Sequence, residues 1–192
     1  MPSAAPKSMS SVASYLVAEE LSEVRHEYIG GELYAMTGAS DRHGLITLNI
    51  ATALRPRLRG GPCQLFVSDM KLRMQIAGQD IFYYPDVLLS CDPGDRETHF
   101  RRSPCLLVEV TSESTARIDR REKALAYQTI PSLKEYLIVS QTRPEVRVHR
   151  RKPEGSFSVE THGGDGIWLE CLQVELALGV IYEDVELPAR PQ

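Results

Sequence analysis

Two acidic residues stand inside otherwise apolar runs of this 192-residue chain. Asp86 lies in the run IFYYPDVLLS, and Glu109 lies in the run PCLLVEVTS. Charged side chains are rarely buried in proteins unless they are paired or bind a metal ion. We therefore predict that these two carboxylates serve chemistry rather than stability.

Metal binding is the chemistry that suits two neighbouring carboxylates. Two ionised carboxylates that meet repel each other, so one must be protonated or a cation must lie between them. Mg²⁺ is the natural cation, because it takes oxygen ligands from one or two carboxylates and completes its shell with water and phosphate oxygens. Such a metal ion activates water and neutralises charge on a phosphodiester under in-line attack. Lys123 is the candidate side chain for the negative charge that develops on the phosphate.

The strands that carry the two carboxylates must present them on one side. Alternate residues of a strand share a face, so Glu109 lies on the face of Leu107 and Asp86 on the face of Leu88. The two carboxylates meet if these strands are neighbours. Pro85 supports a site here, because proline in a sheet is confined to edges, strand starts and bulges, and bulges are frequent beside active sites.

Lys123 is predicted on a helix that follows the Glu109 strand. Asp119, Lys123 and Tyr127 are spaced i, i+4 and i+8, so they lie roughly along one helix face. A long lysine side chain on that face can reach over the end of the sheet. The alternative is that Lys123 only pairs with Asp119 on a solvated face. Tyr127 is expected to pack rather than to take part in chemistry.

The remaining pattern predicts a mixed α+β fold with a central sheet and flanking helices. A Gly30-Gly31 pair between β-prone residues predicts a hairpin over 28–36. Helices are predicted over 10–22, 43–58 and 117–130, the second capped by Ser40 or Asp41 and the third stopped by Pro131. Further strands are predicted over 63–68, 71–76, 81–90, 105–112, 136–140, 146–150 and 157–160, and 167–185 stays unassigned.

Length and composition set the outer limits. We predict a flexible tail over 1–10 and a single domain over 11–192. No apolar stretch approaches the roughly 20 residues that span a membrane, and the start lacks a signal core, so a cytoplasmic protein is expected. The four cysteines are far apart and form no CxxC pair, so reduced thiols are expected rather than zinc or disulfides. The net charge of -4 does not favour a nucleic-acid binder and does not exclude one.

Several separated motifs resemble the Uma family ("Uma two") of restriction endonucleases, a branch of the PD-(D/E)xK nuclease superfamily. The resemblance runs from about Arg25 to the final strands. Its motifs are a Glu before a glycine hairpin, a His that opens the next helix, Pro-Asp, Glu-Val-x-Ser, and Asp, Lys and Tyr at helical spacing. The matching residues are Glu27, His43, Pro85, Asp86, Glu109, Val110, Thr111, Ser112, Asp119, Lys123 and Tyr127.

This resemblance implies a restriction-endonuclease-like core, α/β/α-like, with a mixed central β-sheet. It implies Asp86 and Glu109 as Mg²⁺ ligands, with the backbone carbonyl of Val110 as a further ligand and Mn²⁺ as a substitute ion. The superfamily's usual lysine position is Thr111 in this chain, so Lys123 is the implied replacement.

Glu27 and His43 are implied near the metal or the scissile phosphate, with less defined roles. The basic residues around the site are expected either to form a phosphate-facing rim or to be ordinary solvated side chains. These residues are Arg101, Arg102, Arg117, Arg120 and Arg121.

The expected function is therefore metal-dependent endonuclease cleavage of DNA, and a homodimer is expected by analogy with nucleases that cut both strands. One alternative is a catalytically inactive nucleic-acid or protein-binding module that retains the nuclease fold. Another is a hydrolase or transferase that uses the same metal on a different phosphate or carboxylate compound.

Overall fold

The computed structural model describes residues 10–111, 118–164 and 166–188, and of residues 118–121 it describes the backbone alone. The predicted tail over 1–10 therefore lies, apart from Ser10, outside the described residues. The helices are α1 (Val12–Leu21), α2 (Asp41–Leu54), α3 (Ile118–Gln128) and α4 (Leu178–Ile181), and a 3₁₀ turn over Arg55–Leu58 continues α2. No helix among the described residues has the length and apolar character needed to cross a membrane.

The described residues form thirteen strands. They are β1 (His26–Ile29), β2 (Glu32–Ala35), β3 (Gln64–Val67), β4 (Lys71–Ile76), β5 (Gln79–Tyr83), β6 (Val87–Ser90), β7 (Phe100–Arg101), β8 (Pro104–Thr111), β9 (Glu135–Ser140), β10 (Val146–Arg151), β11 (Phe157–His162), β12 (Ile167–Leu169) and β13 (Val174–Leu176). The predicted hairpin is present as β1 and β2, joined by Gly30 and Gly31, whose φ angles of 56° and 103° favour glycine.

A six-stranded mixed sheet forms the centre, in the order β11-β10-β9-β8-β6-β3. Strands β8 and β9 are parallel, whereas the other pairs of this sheet are antiparallel. A parallel pair needs a crossover connection, and here the crossover carries α3. The sheet is flanked by helices, which confirms the predicted mixed α+β class.

The two faces of the central sheet bury different helices, as strand alternation requires. On one face, Leu106 and Val108 of β8 join the core cluster that includes Ile46 of α2. On the other face, Leu107 joins the cluster that includes Tyr127 of α3. The side chain of Glu109 is hydrogen-bonded to Tyr127, so it lies on the α3 face.

The predicted single strand over 81–90 is wrong, because the chain changes sheets at Pro85. Strand β5 ends at Tyr83 and belongs to a second sheet, of order β2-β1-β5-β4-β7, whereas β6 begins at Val87 in the central sheet. Proline has no N–H for a sheet ladder and fixes its own φ, so pairing stops there. Asp86 therefore lies in the link between the two sheets, one residue before β6.

A buried carboxylate on α1 anchors this link. Glu19 is only 2% exposed and accepts hydrogen bonds from the Tyr84 hydroxyl at 2.9 Å and from the His26 amide at 2.8 Å. The Tyr15 hydroxyl also donates to the His26 carbonyl at 2.7 Å. Helix α1 thereby ties the start of β1 to the segment that precedes Asp86.

A guanidinium group fixes the end of α3. Arg151 donates to the carbonyls of Gln128 at 3.1 Å, Ile130 at 2.6 Å and Leu133 at 2.8 Å. The last carbonyls of a helix lack partners within the helix, so an outside donor satisfies them. Strand β10 therefore helps to hold the helix that carries Lys123.

The cysteines correct the expectation of four separate reduced thiols. Cys63 is joined to Cys91 and Cys105 to Cys171, so all four are in disulfides in the structure. The antiparallel pairing of β3 with β6, which aligns Gln64 with Ser90, brings Cys63 and Cys91 together. Sequence spacing alone could not show this, because the pairing depends on the sheet.

His149 on β10 gives a testable consequence for stability. Its ring is buried and packs on Tyr136 at 5.4 Å between ring centroids, and neither ring nitrogen has a hydrogen-bond partner among the described residues. Burial lowers the pKa of His149 below its usual 6.5. The unfolded chain therefore takes up the proton first as the pH falls, and the folded state loses stability.

We predict that His149→Phe raises the free energy of unfolding by about 1 kcal/mol at about pH 8, and by more at about pH 5.5. Urea unfolding at the two pH values measures the change. His149→Gln is the control, because it removes the titration but keeps an unpaired polar group. A gain for the phenylalanine variant that does not increase at the lower pH would contradict the prediction.

Candidate functional site

Asp86 is held at the junction of the two sheets by contacts to both of its carboxylate oxygens. Its Oδ2 accepts a hydrogen bond from the amide of Val110 at 2.6 Å. Its Oδ1 lies 3.1 Å from Nε2 of His43. The side chain is 13% exposed, so these two contacts fix it in a largely buried position next to the backbone of β8.

Glu109 is the more deeply buried of the two carboxylates. Its Oε1 accepts a hydrogen bond from the Tyr127 hydroxyl at 2.6 Å and lies 3.6 Å from Nζ of Lys123. Burial, which disfavours the ionised form, raises the pKa of Glu109 to about 7, and the charge of Asp86 adds to the rise while Lys123 opposes it. The bond from the Val110 amide to Asp86 places the two carboxylates beside neighbouring residues of β8, although Asp86 lies in the link before β6 and not in the predicted strand.

The ammonium of Lys123 lies between two carboxylates. Its Nζ is 2.8 Å from Oε1 of Glu27 on β1 and 3.6 Å from Oε1 of Glu109 on β8. It also lies over the ring of Tyr83, 5.2 Å from the centroid. Lys123 is therefore directed into the site from α3. The predicted alternative, a pair with Asp119, lies outside the described side chains.

His43 enters the site from the first turn of α2. The Ser40 hydroxyl caps this helix by accepting from the His43 amide at 3.2 Å, and it donates to the side chain of Gln141 at 2.6 Å. The hydrogen bond to Asp86 raises the pKa of His43, although partial burial opposes the rise. The cap thus sets the direction in which the imidazole meets Asp86.

The structure brings together all five side chains that the sequence singled out. Lys123 contacts Glu27 and Glu109, and His43 contacts Asp86. The Val110 amide, which follows Glu109 in β8, links the two sets by donating to Asp86. Val110 lies beside Asp86 through its amide, and the role of its carbonyl as a metal ligand stays a prediction.

Two residues do more in the structure than the sequence predicts. The sequence favours packing for Tyr127, yet its hydroxyl donates to Glu109 while its ring packs edge-on against Tyr136 and Tyr83. Its helical spacing from Lys123 was the available signal. Ser40 was recognised as a possible cap, but its contact with Gln141, far along the chain, had no signal in the sequence.

The balance of charges fits a divalent cation. Glu27, Asp86 and Glu109 supply three carboxylates, whereas Lys123 supplies one permanent positive charge and His43 a second only when protonated. Burial is the main cause of the raised pKa of Glu109, and the charges of Asp86 and Glu27 add to it while Lys123 opposes it. Carboxylate oxygens are the ligands that Mg²⁺ and Mn²⁺ prefer, so Asp86 and Glu109 are suitable to hold such an ion.

The contacts of the described arginines do not place them in the expected basic rim. Arg101 is buried, donates to the carbonyls of Glu97 and Phe100, and stacks on Phe66 at 4.7 Å, so its role is structural. Arg102 is about half exposed, and its guanidinium lies 4.0 Å from Glu97 and 5.1 Å from the ring centroid of Phe100. Arg117, Arg120 and Arg121 lie outside the described side chains.

A family model and two relatives match most of this chain. A family model named Uma2 and described as "Putative restriction endonuclease" matches residues 12–180. An uncharacterized protein of Synechocystis sp. is 37% identical over 180 residues, which is 93% of this chain and 94% of that protein. A second uncharacterized protein of Synechocystis sp. is 36% identical over 132 residues, which is 67% of this chain and 73% of that protein.

One solved structure shares the fold. It is described as a "putative nuclease belonging to DUF820" from Anabaena variabilis, and it matches with a TM-score of 0.66 at 13% identity. The match covers 84% of this chain and 91% of that chain. The low identity means that the likeness shows the fold alone.

The ion pairs of Lys123 yield a prediction for stability. Its side chain is 11% exposed and that of Glu27 15%, so Lys123→Met leaves two largely buried carboxylates without their cation. Removing one partner of a buried pair typically costs about 3–5 kcal/mol. We therefore expect a loss of that order in the free energy of unfolding, measured by urea denaturation without metal.

A double variant separates this charge effect from lost packing. Lys123→Met combined with Glu27→Gln is expected to recover at least about 1 kcal/mol, because one uncompensated carboxylate is gone. Glu122→Gln, on an exposed position of the same helix, is the matched control and should stay within about 0.5 kcal/mol of the wild type. Strictly additive losses in the double variant would contradict the charge argument.

Proposed function

Because the chain belongs to the Uma2 family, described as "Putative restriction endonuclease", we propose that it is a Mg²⁺-dependent endonuclease that hydrolyses phosphodiester bonds of DNA. Mn²⁺ is the expected substitute ion. The observation that carries the proposal is that Asp86 is bonded to the Val110 amide next to Glu109, while the Lys123 ammonium lies 3.6 Å from Glu109. A nuclease role also agrees with the shared fold of the nuclease-like chain from Anabaena variabilis.

Asp86 and Glu109 are the residues that would hold the metal ion, with the carbonyl of Val110 as a further candidate. When bound, the ion supplies an activated water and neutralises charge on the phosphodiester. A divalent cation held there would favour the ionised form of Glu109 and so oppose the rise in its pKa that burial causes. Tyr127 orients the Glu109 side chain by donating a hydrogen bond to its Oε1.

Lys123 is proposed to stabilise the negative charge that develops on the phosphate. Its ammonium is held in a largely buried position, where electrostatic interactions are stronger than in water. Glu27 positions this ammonium through the 2.8 Å ion pair. His43 positions Asp86 through its Nε2 and, when protonated, adds a second positive charge to the site.

A plasmid-cleavage assay tests the proposal. Purified protein with supercoiled plasmid and Mg²⁺ or Mn²⁺ should produce nicked and linear DNA, and chelation should stop the reaction. Asp86→Asn and Glu109→Gln should each lower the cleavage rate by at least about 100-fold, because each removes a charged metal ligand. Glu122→Gln should cleave like the wild type. Equal cleavage by all four proteins would contradict the site assignment.

Metal binding must be measured in the same proteins. Titration calorimetry should show binding of Mn²⁺ by the wild type and by Glu122→Gln, and weak or no binding by the two site variants. Binding without cleavage of DNA or RNA would shift the assignment to another phosphate-containing substrate. If neither binding nor cleavage is found in the wild type, the protein is instead a binding module that retains the fold.

We also propose that the protein acts in the cytoplasm as a homodimer on duplex DNA, because cleavage of both strands requires two sites. Light scattering after gel filtration should give about twice the 21.5 kDa chain mass. Mixing an inactive Glu109→Gln chain with the wild type should form dimers with one active site. These should cut one strand, so the plasmid products should shift from linear to nicked. A monomer that still makes linear products would contradict the dimer.

A further inference from the structure

The four cysteines of the chain meet at the end of the central sheet that is remote from Glu109. Cys63 directly precedes β3, Cys91 directly follows β6, Cys105 is the second residue of β8, and Cys171 lies between β12 and β13. Cys105 and Glu109 are on the same strand, four positions apart, which corresponds to about 13 Å along it. The sulfur cluster is therefore separate from the carboxylate site.

The two disulfides lie in contact with each other. The sulfur of Cys91 is 3.6 Å from the sulfur of Cys105, although these residues belong to different disulfides. The sulfur atoms of Cys91, Cys105 and Cys171 all lie within 4.8 Å of one another. Cys63 is not a member of this group of three, but it is bonded to Cys91 and is therefore the candidate for a fourth ligand.

We propose that these four cysteines, when reduced, bind one Zn²⁺ ion as a structural site. A tetrahedral zinc ion with Zn–S bonds of about 2.3 Å places its sulfur ligands about 3.8 Å apart. The observed 3.6 Å between Cys91 and Cys105 matches that separation. Four thiolates and no open position are typical of structural zinc sites, so the inferred role is to join segments and not to catalyse a reaction.

The surroundings of the cluster agree with a structural role. Cys105 is buried, and the other three cysteines are partly buried against the core cluster that includes Leu106 and Val87. Zinc there would connect three strands of the central sheet to the C-terminal segment that carries Cys171. A metal ion or a disulfide that joins distant segments closes the chain between them into a loop. Closing that loop stabilises the fold because it restricts the unfolded chain.

The chemistry balances with an added reductant. Each disulfide takes up two electrons and two protons from a thiol or phosphine reductant, so that two disulfides give four thiols. Zinc then displaces four thiol protons and forms a tetrathiolate complex with a net charge of -2. No other co-reactant is needed.

The test uses the full chain kept in a phosphine reductant and freed of metal. Addition of Co²⁺ as a spectroscopic probe should produce thiolate-to-cobalt charge-transfer bands and the visible bands of tetrahedral cobalt, saturating at one ion per chain. Zn²⁺ should displace the cobalt stoichiometrically and protect all four thiols from a thiol-labelling reagent. Absence of the thiolate–cobalt bands in the reduced wild type would overturn the proposal.

Variants locate the ion and separate this site from the proposed nuclease site. Cys63→Ser, at a partly buried position, should weaken Zn²⁺ binding at least about 100-fold and shift the cobalt bands. Cys105→Ser should have the same effect, but Cys105 is buried and its variant risks misfolding. The test of the zinc site therefore relies on Cys63→Ser. Glu109→Gln should keep the thiolate–cobalt bands unchanged, and their loss in that variant would overturn the assignment to the cysteines. Disulfides that persist in reductant under native conditions would also overturn it.

Discussion

The Lys123 ammonium is the charge on which the carboxylate cluster depends. It is ion-paired with Glu27 and Glu109, while Asp86 adds a third carboxylate beside them. One permanent positive charge cannot balance three negative ones in a largely buried place. The pKa of Glu109 is accordingly raised to about 7, because the buried site favours the neutral acid. A fold that keeps such a carboxylate gives up stability at a place that suits a divalent cation.

The cluster lies where the two larger sheets separate. The five-stranded sheet contributes Glu27 from β1, the central sheet contributes Glu109 from β8, and the link at Pro85 contributes Asp86. The buried Glu19 holds the link and the start of β1 together through Tyr84 and the His26 amide. Neither sheet alone could assemble the site, so its geometry depends on how the two are joined.

Much of the fold could be predicted from the sequence, because the signals were local. The Gly30-Gly31 pair gave the hairpin, Ser40 gave a helix cap, and apolar alternation gave β8 with Glu109 on a defined face. The grouping of the site residues needed the ordered family motifs, since no local rule relates Glu27 to Lys123.

The wrong predictions concern contacts between distant segments, which the spacing of residues along the sequence does not determine. The break at Pro85 was recognised as an irregularity, but the move to a second sheet depends on what β5 and β6 pair with. The distance between the cysteines in sequence predicts separate reduced thiols, whereas the pairing of β3, β6 and β8 brings them together. Tyr127 was assigned to packing because its bond to Glu109 exists only when α3 lies on the sheet.

The place of Lys123 on the crossover helix affects how related chains can diverge. A lysine in β8 itself would be bound to the register of the sheet, in which a shift of one residue turns every side chain to the opposite face. On α3 it is bound only to the packing of a helix, which can be lengthened, or shifted by about 5.4 Å per turn, while the strands stay paired. The ammonium and the carboxylates can therefore be remodelled separately during evolution.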